Sequence, residues 1–206
     1  PGMGYISNPT EDGTLYTKEE LTDLSATCYD CGLCLFVDGA RMAYGLASEA
    51  NDLNLQDYAN LCDVFYLGGT KCGALFGEAV VINNPDLDQD FRYAIKQHGA
   101  MLAKGRLLGL QFDVLFTDDL YQTISRNAIA TANALKQGLA AKGYRFFLDS
   151  PTNQIFIVFS NEQLAALEGK AKFGFWEKFD DTHTVMRIAT SWATRIEEID
   201  GLLPLL

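Results

Sequence analysis

Residues 63–79 read DVFYLGGTKCGALFGEA, an apolar run that breaks into two glycines, a threonine and a lysine. The run Val64–Leu67 predicts a buried strand. Gly68 and Gly69 have no β-carbon, so the backbone that leads to Lys71 can approach a ligand closely. The stretch therefore predicts a strand that brings an amine to the carboxyl edge of an open sheet, where such sheets bind ligands.

An upstream stretch has the same form. The run Leu33–Val37 is apolar without alternation and ends abruptly in the residues DGAR, 38–41. Such a run predicts a strand buried on both faces, as in a parallel sheet. A helical pattern over Leu55–Leu61 separates the two strands, and a third strand is predicted over Ala79–Ile82. Strand, crossover and strand together predict an α/β fold with a mainly parallel sheet.

The flanking segments complete this first part of the chain. Residues 4–7 predict a further strand, and Thr17 with Glu20 forms a capping box that begins a helix. Residues 90–116 read as helix interrupted at Gly99, Gly105 and Gly109.

A second pattern follows a long predicted helix over residues 120–141. Strands are predicted over 144–148, 154–159, 174–179 and 184–189, and a helix over 162–167. A last helix is predicted to begin at Thr194, with Thr194 and Glu197 as its capping box. We predict a large-domain part over residues 1–119, then a linking helix and a small C-terminal α+β domain over residues 120–206.

Charge and hydropathy restrict the partners. The chain has 27 acidic and 16 basic residues and a formal net charge of -11. No cluster of Lys or Arg offsets this charge, so we expect no nucleic-acid partner. No apolar run approaches the roughly 20 residues of a membrane helix, and no secretory signal opens the sequence, so we expect a cytoplasmic protein without a membrane partner.

Three of the five cysteines form the stretch CYDCGLC, residues 28–34, which superficially resembles a metal motif. No fourth cysteine follows at a matching distance, and His98 and His183 are far along the chain. Gly32 is typical of a residue that ends a helix, which would separate Cys31 from Cys34. We therefore expect no metal site, and reduced, buried cysteines instead.

Two pairs of polar residues are candidates for chemistry, namely Asp38 with Arg41 and Thr70 with Lys71. Both pairs follow strands at the edge where open α/β sheets bind ligands. A lysine amine among apolar neighbours would be partly desolvated, which favours Schiff-base formation, and Asp38 could hold a positive charge opposite it. The plainer alternatives are a helix N-cap for Asp38 and a solvated side chain for Lys71.

Five stretches resemble, in order, the low-specificity L-threonine aldolase and beta-eliminating lyase family. They are YISNPTEDGTLYT (5–17), FVDGAR (36–41), the opening stretch (63–79), KQHGAMLAKGR (96–106) and MRIATSW (186–192). The resemblance covers essentially the whole chain. It implies the pyridoxal-phosphate-dependent transferase fold (fold type I), and a homodimer or homotetramer.

The implied activity is retro-aldol cleavage of L-threonine or L-allo-threonine to glycine and an aldehyde. Two alternatives stay open: a pyridoxal-phosphate-dependent beta-eliminating lyase acting on an amino acid, and a non-catalytic fragment.

The resemblance also implies roles for residues that would hold pyridoxal 5'-phosphate. Lys71 would bind the cofactor through its amine, with Thr70 beside it, and Asp38 would pair with the protonated pyridine nitrogen. Lys104 or Arg106 would reach a cofactor phosphate, across a dimer interface if the two copies meet there.

For the substrate, Arg41 would lie near the cofactor oxygen and the substrate carboxylate, and Arg187 would clamp that carboxylate with its planar fork. Two interpretations of His98 stay open: a group that assists proton transfer, and a packed or surface histidine without a catalytic role. The family's N-terminal portion, with its phosphate loop and ring-stacking histidine, has no match here, so we expect an incomplete sheet with an exposed edge. Cys72 stands where relatives often have another small or polar residue.

Overall fold

The computed structural model covers residues 1–206 and forms two four-stranded sheets. The first sheet has the order β1-β2-β3-β4, with β1 Met3–Ser7, β2 Cys34–Asp38, β3 Val64–Leu67 and β4 Ala79–Ile82. β2 runs parallel to both β1 and β3, and β4 runs antiparallel to β3. The predicted α/β class with a mainly parallel sheet is therefore confirmed.

Five helices connect and follow these strands: α1 Lys18–Asp30, α2 Met42–Leu46, α3 Leu55–Leu61, α4 Phe91–Gln97 and α5 Arg106–Leu115. The predicted capping box of α1 is present, because Thr17 accepts from the Glu20 backbone and Glu20 accepts from the Thr17 backbone. The predicted break at Gly99 is confirmed, since this residue has a φ of 76° just beyond α4. Gly109 instead lies inside α5 and does not interrupt it.

The prediction that β2 is buried on both faces is wrong for this chain. Leu35 and Val37 are buried under α1 and α3, whereas Phe36 is half-buried. Phe36 lies on the opposite face, where it stacks on the exposed ring of Tyr5 at a centroid distance of 5.5 Å. One face of the sheet is a core, and the other is partly open to solvent.

The long helix α6 Leu120–Ala141 has the predicted bounds and joins the two sheets. Its first half packs Ala128 and Ile129 against α2, and its second half packs Leu135 and Leu139 against the second sheet. The second sheet is antiparallel and has the order β5-β6-β8-β7, with β5 Arg145–Phe146, β6 Gln154–Ser160, β7 Gly174–Lys178 and β8 His183–Ala189.

The last two helices are α7 Asn161–Leu167 and α8 Ile196–Leu202. The predicted start of α8 at Thr194 is wrong. The hydroxyl of Thr194 accepts from the backbone N–H of Ser191 at 2.9 Å, so it closes a turn before the helix and cannot cap it. The capping carboxylate belongs to Glu198, which accepts from the backbone N–H of Arg195 at 3.0 Å.

Helix α1 ends just before Gly32, as predicted, so Cys31 and Cys34 lie in different elements. Gly32 has a φ of 65°, Cys31 is the C-cap of α1 and Cys34 lies in β2. All five cysteines are free thiols, but Cys31 is exposed and Cys34 only half-buried, so the expectation of uniform burial is wrong. None of the helices combines the length and the apolar character needed to span a bilayer.

Candidate active site

The two strand-end turns that carry the predicted residues lie in direct contact. β2 and β3 are parallel, so Asp38 and Leu67 end at the same edge of the sheet. The backbone N–H of Gly68 donates to the backbone oxygen of Gly39 at 2.9 Å. A β-carbon on Gly68 would overlap the backbone oxygen of Ala40, so glycine is required for this approach.

Three hydrogen bonds hold the turn of Lys71. The hydroxyl of Tyr121, on α6, donates to the backbone oxygen of Gly68 at 2.7 Å. The hydroxyl of Tyr44, on α2, donates to the backbone oxygen of Lys71. The Glu78 carboxylate accepts from the backbone N–H of Gly69. The turn is therefore held by hydroxyls of α6 and α2 and by the carboxylate that directly precedes β4.

A cavity of about 330 Å³ lies between this turn and the second sheet. Residues from both parts of the chain line it, namely Arg41, Tyr44, Thr70, Lys71, Asn153, Ala189, Thr190, Ser191 and Trp192. The structure thus brings three predicted residues, Arg41, Thr70 and Lys71, into one cavity. Lys71 itself is exposed, so the expectation of a desolvated amine is wrong for this chain.

Asp38 is an ionised acceptor beside the cavity. Its carboxylate accepts from the Tyr5 hydroxyl at 2.6 Å, from the Tyr66 hydroxyl, and from the backbone N–H of Ala40 at 3.0 Å. Burial raises the pKa of Asp38, but these three hydrogen bonds outweigh it and bring the pKa below its ordinary value. The positive charge of Lys71 lowers the Asp38 pKa further, which is consistent with the proximity of the two side chains.

Arg41 has a largely buried side chain, 13% exposed, and no close ion-pair partner. Its single salt bridge is to Glu11, at 3.9 Å from Nη1 to Oε2, and the Glu11 side chain is 66% exposed. A guanidinium in this setting is available to a ligand carboxylate, which it could bind through two parallel hydrogen bonds.

Arg187 approaches the same region from β8. Its Nη1 donates to Oε1 of Gln154 at 3.3 Å, and its guanidinium carbon lies 5.4 Å from the centroid of the Trp176 ring. Gln154 in turn donates through Nε2 to the backbone oxygen of Glu11 at 3.3 Å. Arg41 and Arg187 are therefore both linked to Glu11, although Arg187 does not line the cavity.

Three other candidate residues from the sequence analysis lie away from the cavity. Lys104 and Arg106 are exposed at the start of α5, and His98 is exposed at the C-cap of α4. This chain alone does not bring them to Lys71, so the roles suggested for them stay predictions.

Sequence reasoning missed Tyr5 and Tyr66, which both bond to Asp38, and Asn153, which lines the cavity. A signal existed for Tyr5: β1 pairs Ser7 with Asp38, and the two-residue period of a strand puts Tyr5 on the same face as Ser7. Asn153 offered no local signal, because its place depends on the packing of the second sheet.

The chain is similar to known proteins over nearly its full length. Residues 5–162 match the family described as beta-eliminating lyase. A low specificity L-threonine aldolase of Pseudomonas aeruginosa is 30% identical over 98% of this chain and 58% of its own length. A second such aldolase, of Pseudomonas sp., is 32% identical over 82% of this chain and 49% of its own length.

Solved structures agree. A threonine aldolase of Leishmania major superposes with a TM-score of 0.96 at 45% identity, over 100% of this chain and 60% of that one. An aspartate aminotransferase of Thermus thermophilus has a TM-score of 0.69 at 13% identity, over 98% of this chain and 56% of that one, and shows the shared fold alone. The chain thus spans about 58% of the first of these curated relatives.

Proposed function

The chain belongs to the beta-eliminating lyase family, and on that premise we propose that the protein is a pyridoxal-phosphate-dependent aldolase. Its substrates would be L-threonine or L-allo-threonine, and its products glycine and an aldehyde. The observation that carries the proposal is the grouping of Lys71 and Arg41 in one cavity, with Asp38 beside them.

The residues present fit this cofactor. The Oδ2 atom of Asp38 accepts one hydrogen bond, from Tyr5, so it keeps capacity for a protonated ring nitrogen. The Oδ1 atom of Asn153, a residue of the cavity wall, is buried without a hydrogen-bond partner. Lys71 would hold the cofactor through its amine, and Thr70 lies next to it in the cavity wall.

When bound, pyridoxal phosphate supplies an electron sink for the pair released as a bond at the substrate Cα breaks. Asp38 stays ionised under the hydrogen bonds described above, so it would keep a positive charge on the ring nitrogen. Arg187 and Arg41 would hold the substrate carboxylate between them. Fixing that carboxylate sets the direction of the Cα–Cβ bond, which decides whether the bond can break.

We also propose that two copies of the chain associate through the apolar surface around α5. A cavity of about 580 Å³ there is lined mainly by apolar residues, among them Leu75, Leu107, Leu110, Val114 and Trp192. Trp192 also lines the cavity of Lys71, so the surface adjoins the site. Lys104 and Arg106 lie at the start of α5, and in a pair of copies they would be available to the phosphate of the neighbouring site.

The proposed division is a large-domain part over residues 1–119, and a linking helix with a small domain over residues 120–206. It is supported by the two sheets, which lie within Met3–Ile82 and Arg145–Ala189, and by α6, which packs on α2 with its first half and on the second sheet with its second half.

The experiment is to supply L-threonine to the full-length protein with pyridoxal phosphate, and to measure glycine and acetaldehyde together with ammonia. Glycine and acetaldehyde in equal amounts support the aldolase. Borohydride reduction of the cofactor-loaded protein, followed by peptide mass analysis, should place the label on Lys71. A label on another lysine would contradict the proposal that Lys71 binds the cofactor.

A beta-eliminating lyase is the second candidate, favoured by the description of the family that the chain matches. It predicts ammonia release in place of glycine in the same assay. A third outcome, no labelling of Lys71 and no product, would indicate a non-catalytic fragment.

A further inference from the structure

We propose that Tyr44 is a positioning residue that fixes the backbone of Lys71 to the loop following β8. The inference rests on the proposed function of Lys71 and assigns Tyr44 no contact with substrate or cofactor.

The hydroxyl of Tyr44 connects two parts of the site that are far apart in sequence. Tyr44 is 1% exposed and lies on α2, directly after the turn of Asp38 and Arg41. Its hydroxyl donates to the backbone oxygen of Lys71 and accepts from the backbone N–H of Trp192 at 3.2 Å. A hydroxyl has one proton to donate, so the bond to the Lys71 oxygen uses its donor and the bond from Trp192 uses acceptor capacity.

The two hydrogen-bond partners of Tyr44 lie in the proposed site or next to its residues. Lys71 follows the glycine turn after β3, and Trp192 follows β8, the strand that carries Arg187. Thr190, between Arg187 and Trp192, donates from its hydroxyl to the backbone oxygen of Ala128 on α6 at 2.6 Å. The loop is thereby held from one side by α6 and from the other by Tyr44. A shift of this loop would alter the placement of Arg187 relative to Lys71.

The hydroxyl keeps its proton over the working pH range. Burial raises the pKa of Tyr44 well above its ordinary value, and the neighbouring thiol of Cys72 adds to this rise. The bond to the Lys71 oxygen therefore persists in neutral and mildly alkaline solution. The Tyr121 hydroxyl donates a similar bond to Gly68 but makes none to the loop following β8, so of these two hydroxyls only that of Tyr44 joins the turn of Lys71 to that loop.

The test is Tyr44→Phe in the full-length, cofactor-loaded protein, with activity expressed per labelled Lys71. Loss of the hydroxyl should lower kcat about ten- to a hundredfold, as for other small misplacements of reacting groups. KM for the amino acid should change less than about threefold, because Arg187 keeps its bond to Gln154 and both arginines can still bind the carboxylate, while the bound substrate is displaced relative to Lys71. Labelling of Lys71 should persist, which separates a failure of this proposal from a failure of the proposed function.

The matched control is Tyr58→Phe. Tyr58 is 2% exposed, and its hydroxyl accepts from Asn8 at 2.6 Å, away from the cavity. It should lose comparable stability and keep the kcat of the wild type. Equal kcat per labelled site in Tyr44→Phe and Tyr58→Phe would overturn the proposal.

A second measurement does not depend on the folding of the variant. Native-state hydrogen exchange of the wild-type protein should show a protected amide at Trp192, because its N–H is bonded to Tyr44. Exchange of this amide at the rate of an open loop would overturn the proposal equally.

Discussion

A β-carbon on Gly39 would overlap the backbone oxygen of Tyr66, so the turn after β2 packs directly on the last residues of β3. We predict that Gly39→Ala destabilises the protein by about 1–3 kcal/mol or more, because the added carbon meets backbone that cannot rotate away. Urea unfolding measures the change in free energy. The variant should also bind pyridoxal phosphate more weakly, since both turns lead to the proposed site.

Gly109→Ala is the matched control. Gly109 lies within α5, and a β-carbon there would meet nothing within 4 Å. The substitution should change the unfolding free energy by no more than about 1 kcal/mol, in the stabilising direction, through helix propensity. If the two variants unfold at the same urea concentration, the close contact of Gly39 with Tyr66 is wrong.

The second prediction concerns the guanidinium of Arg187 and its proposed binding of the substrate carboxylate. Its guanidinium donates to Gln154 and lies over Trp176, which leaves its remaining N–H groups free to bind a carboxylate. Arg187→Lys keeps the charge and loses the planar geometry. We expect KM for L-threonine to rise about ten- to a hundredfold, the loss of one charge-assisted hydrogen bond.

Arg145→Lys provides the comparison for steady-state kinetics. Arg145 lies on β5 with its guanidinium carbon 4.5 Å from the centroid of the Phe179 ring, and it is exposed. It should leave KM unchanged. A KM for Arg187→Lys within twofold of the wild type would remove Arg187 from the binding of the carboxylate.

Local patterns predicted most of the elements, because hydrophobic periodicity and capping residues act within a few residues. The bounds of α6 and the capping box of Thr17 with Glu20 are examples. The same reasoning failed at Thr194, where the hydroxyl serves a preceding turn, a choice set by the surrounding backbone. It also overestimated the burial of β2, since an apolar run cannot tell whether another element covers the second face.

Some residues of the candidate site could be predicted from the sequence, and others could not. Strand-end residues such as Asp38 and Lys71 could be found from sequence, because the carboxyl edge of a parallel sheet collects them. Asn153 could not, because the loop before β6 reaches the cavity only through the packing of α6 against α2 and against the second sheet.

The apolar surface around α5 yields the third prediction. Leu110 is 46% exposed and lines the cavity of about 580 Å³. Leu110→Glu would place a charge in the proposed contact between copies, where burial without a partner is costly. Sedimentation should show at least about tenfold weaker self-association. Tyr29→Glu, at an apolar side chain 85% exposed on α1, should associate as the wild type does. Equal association of all three proteins would argue against a contact at α5.

The fourth prediction concerns alkaline pH. Burial raises the pKa of Cys62 to about 12, from 9.0. The unfolded chain therefore loses this proton first, so the stability contributed by the neutral thiol is complete below about pH 9 and is lost as the pH rises towards 12. Burial also raises the pKa of Tyr58 and Tyr121, which steepens the loss above pH 10.

Urea unfolding at intervals from pH 8 to pH 11 should show the free energy of unfolding falling with pH. Cys62→Ala should reduce the slope by up to about 1.4 kcal/mol per pH unit in the upper part of this range, the value for one proton. Cys31→Ala should leave the slope unchanged, because Cys31 is exposed at the C-cap of α1. If Cys62→Ala leaves the slope of the unfolding free energy against pH unchanged, this thiol has the same pKa in the folded and the unfolded protein. Solvent would then reach Cys62 in the core between α1, α3 and the first sheet, where water is expected to be excluded.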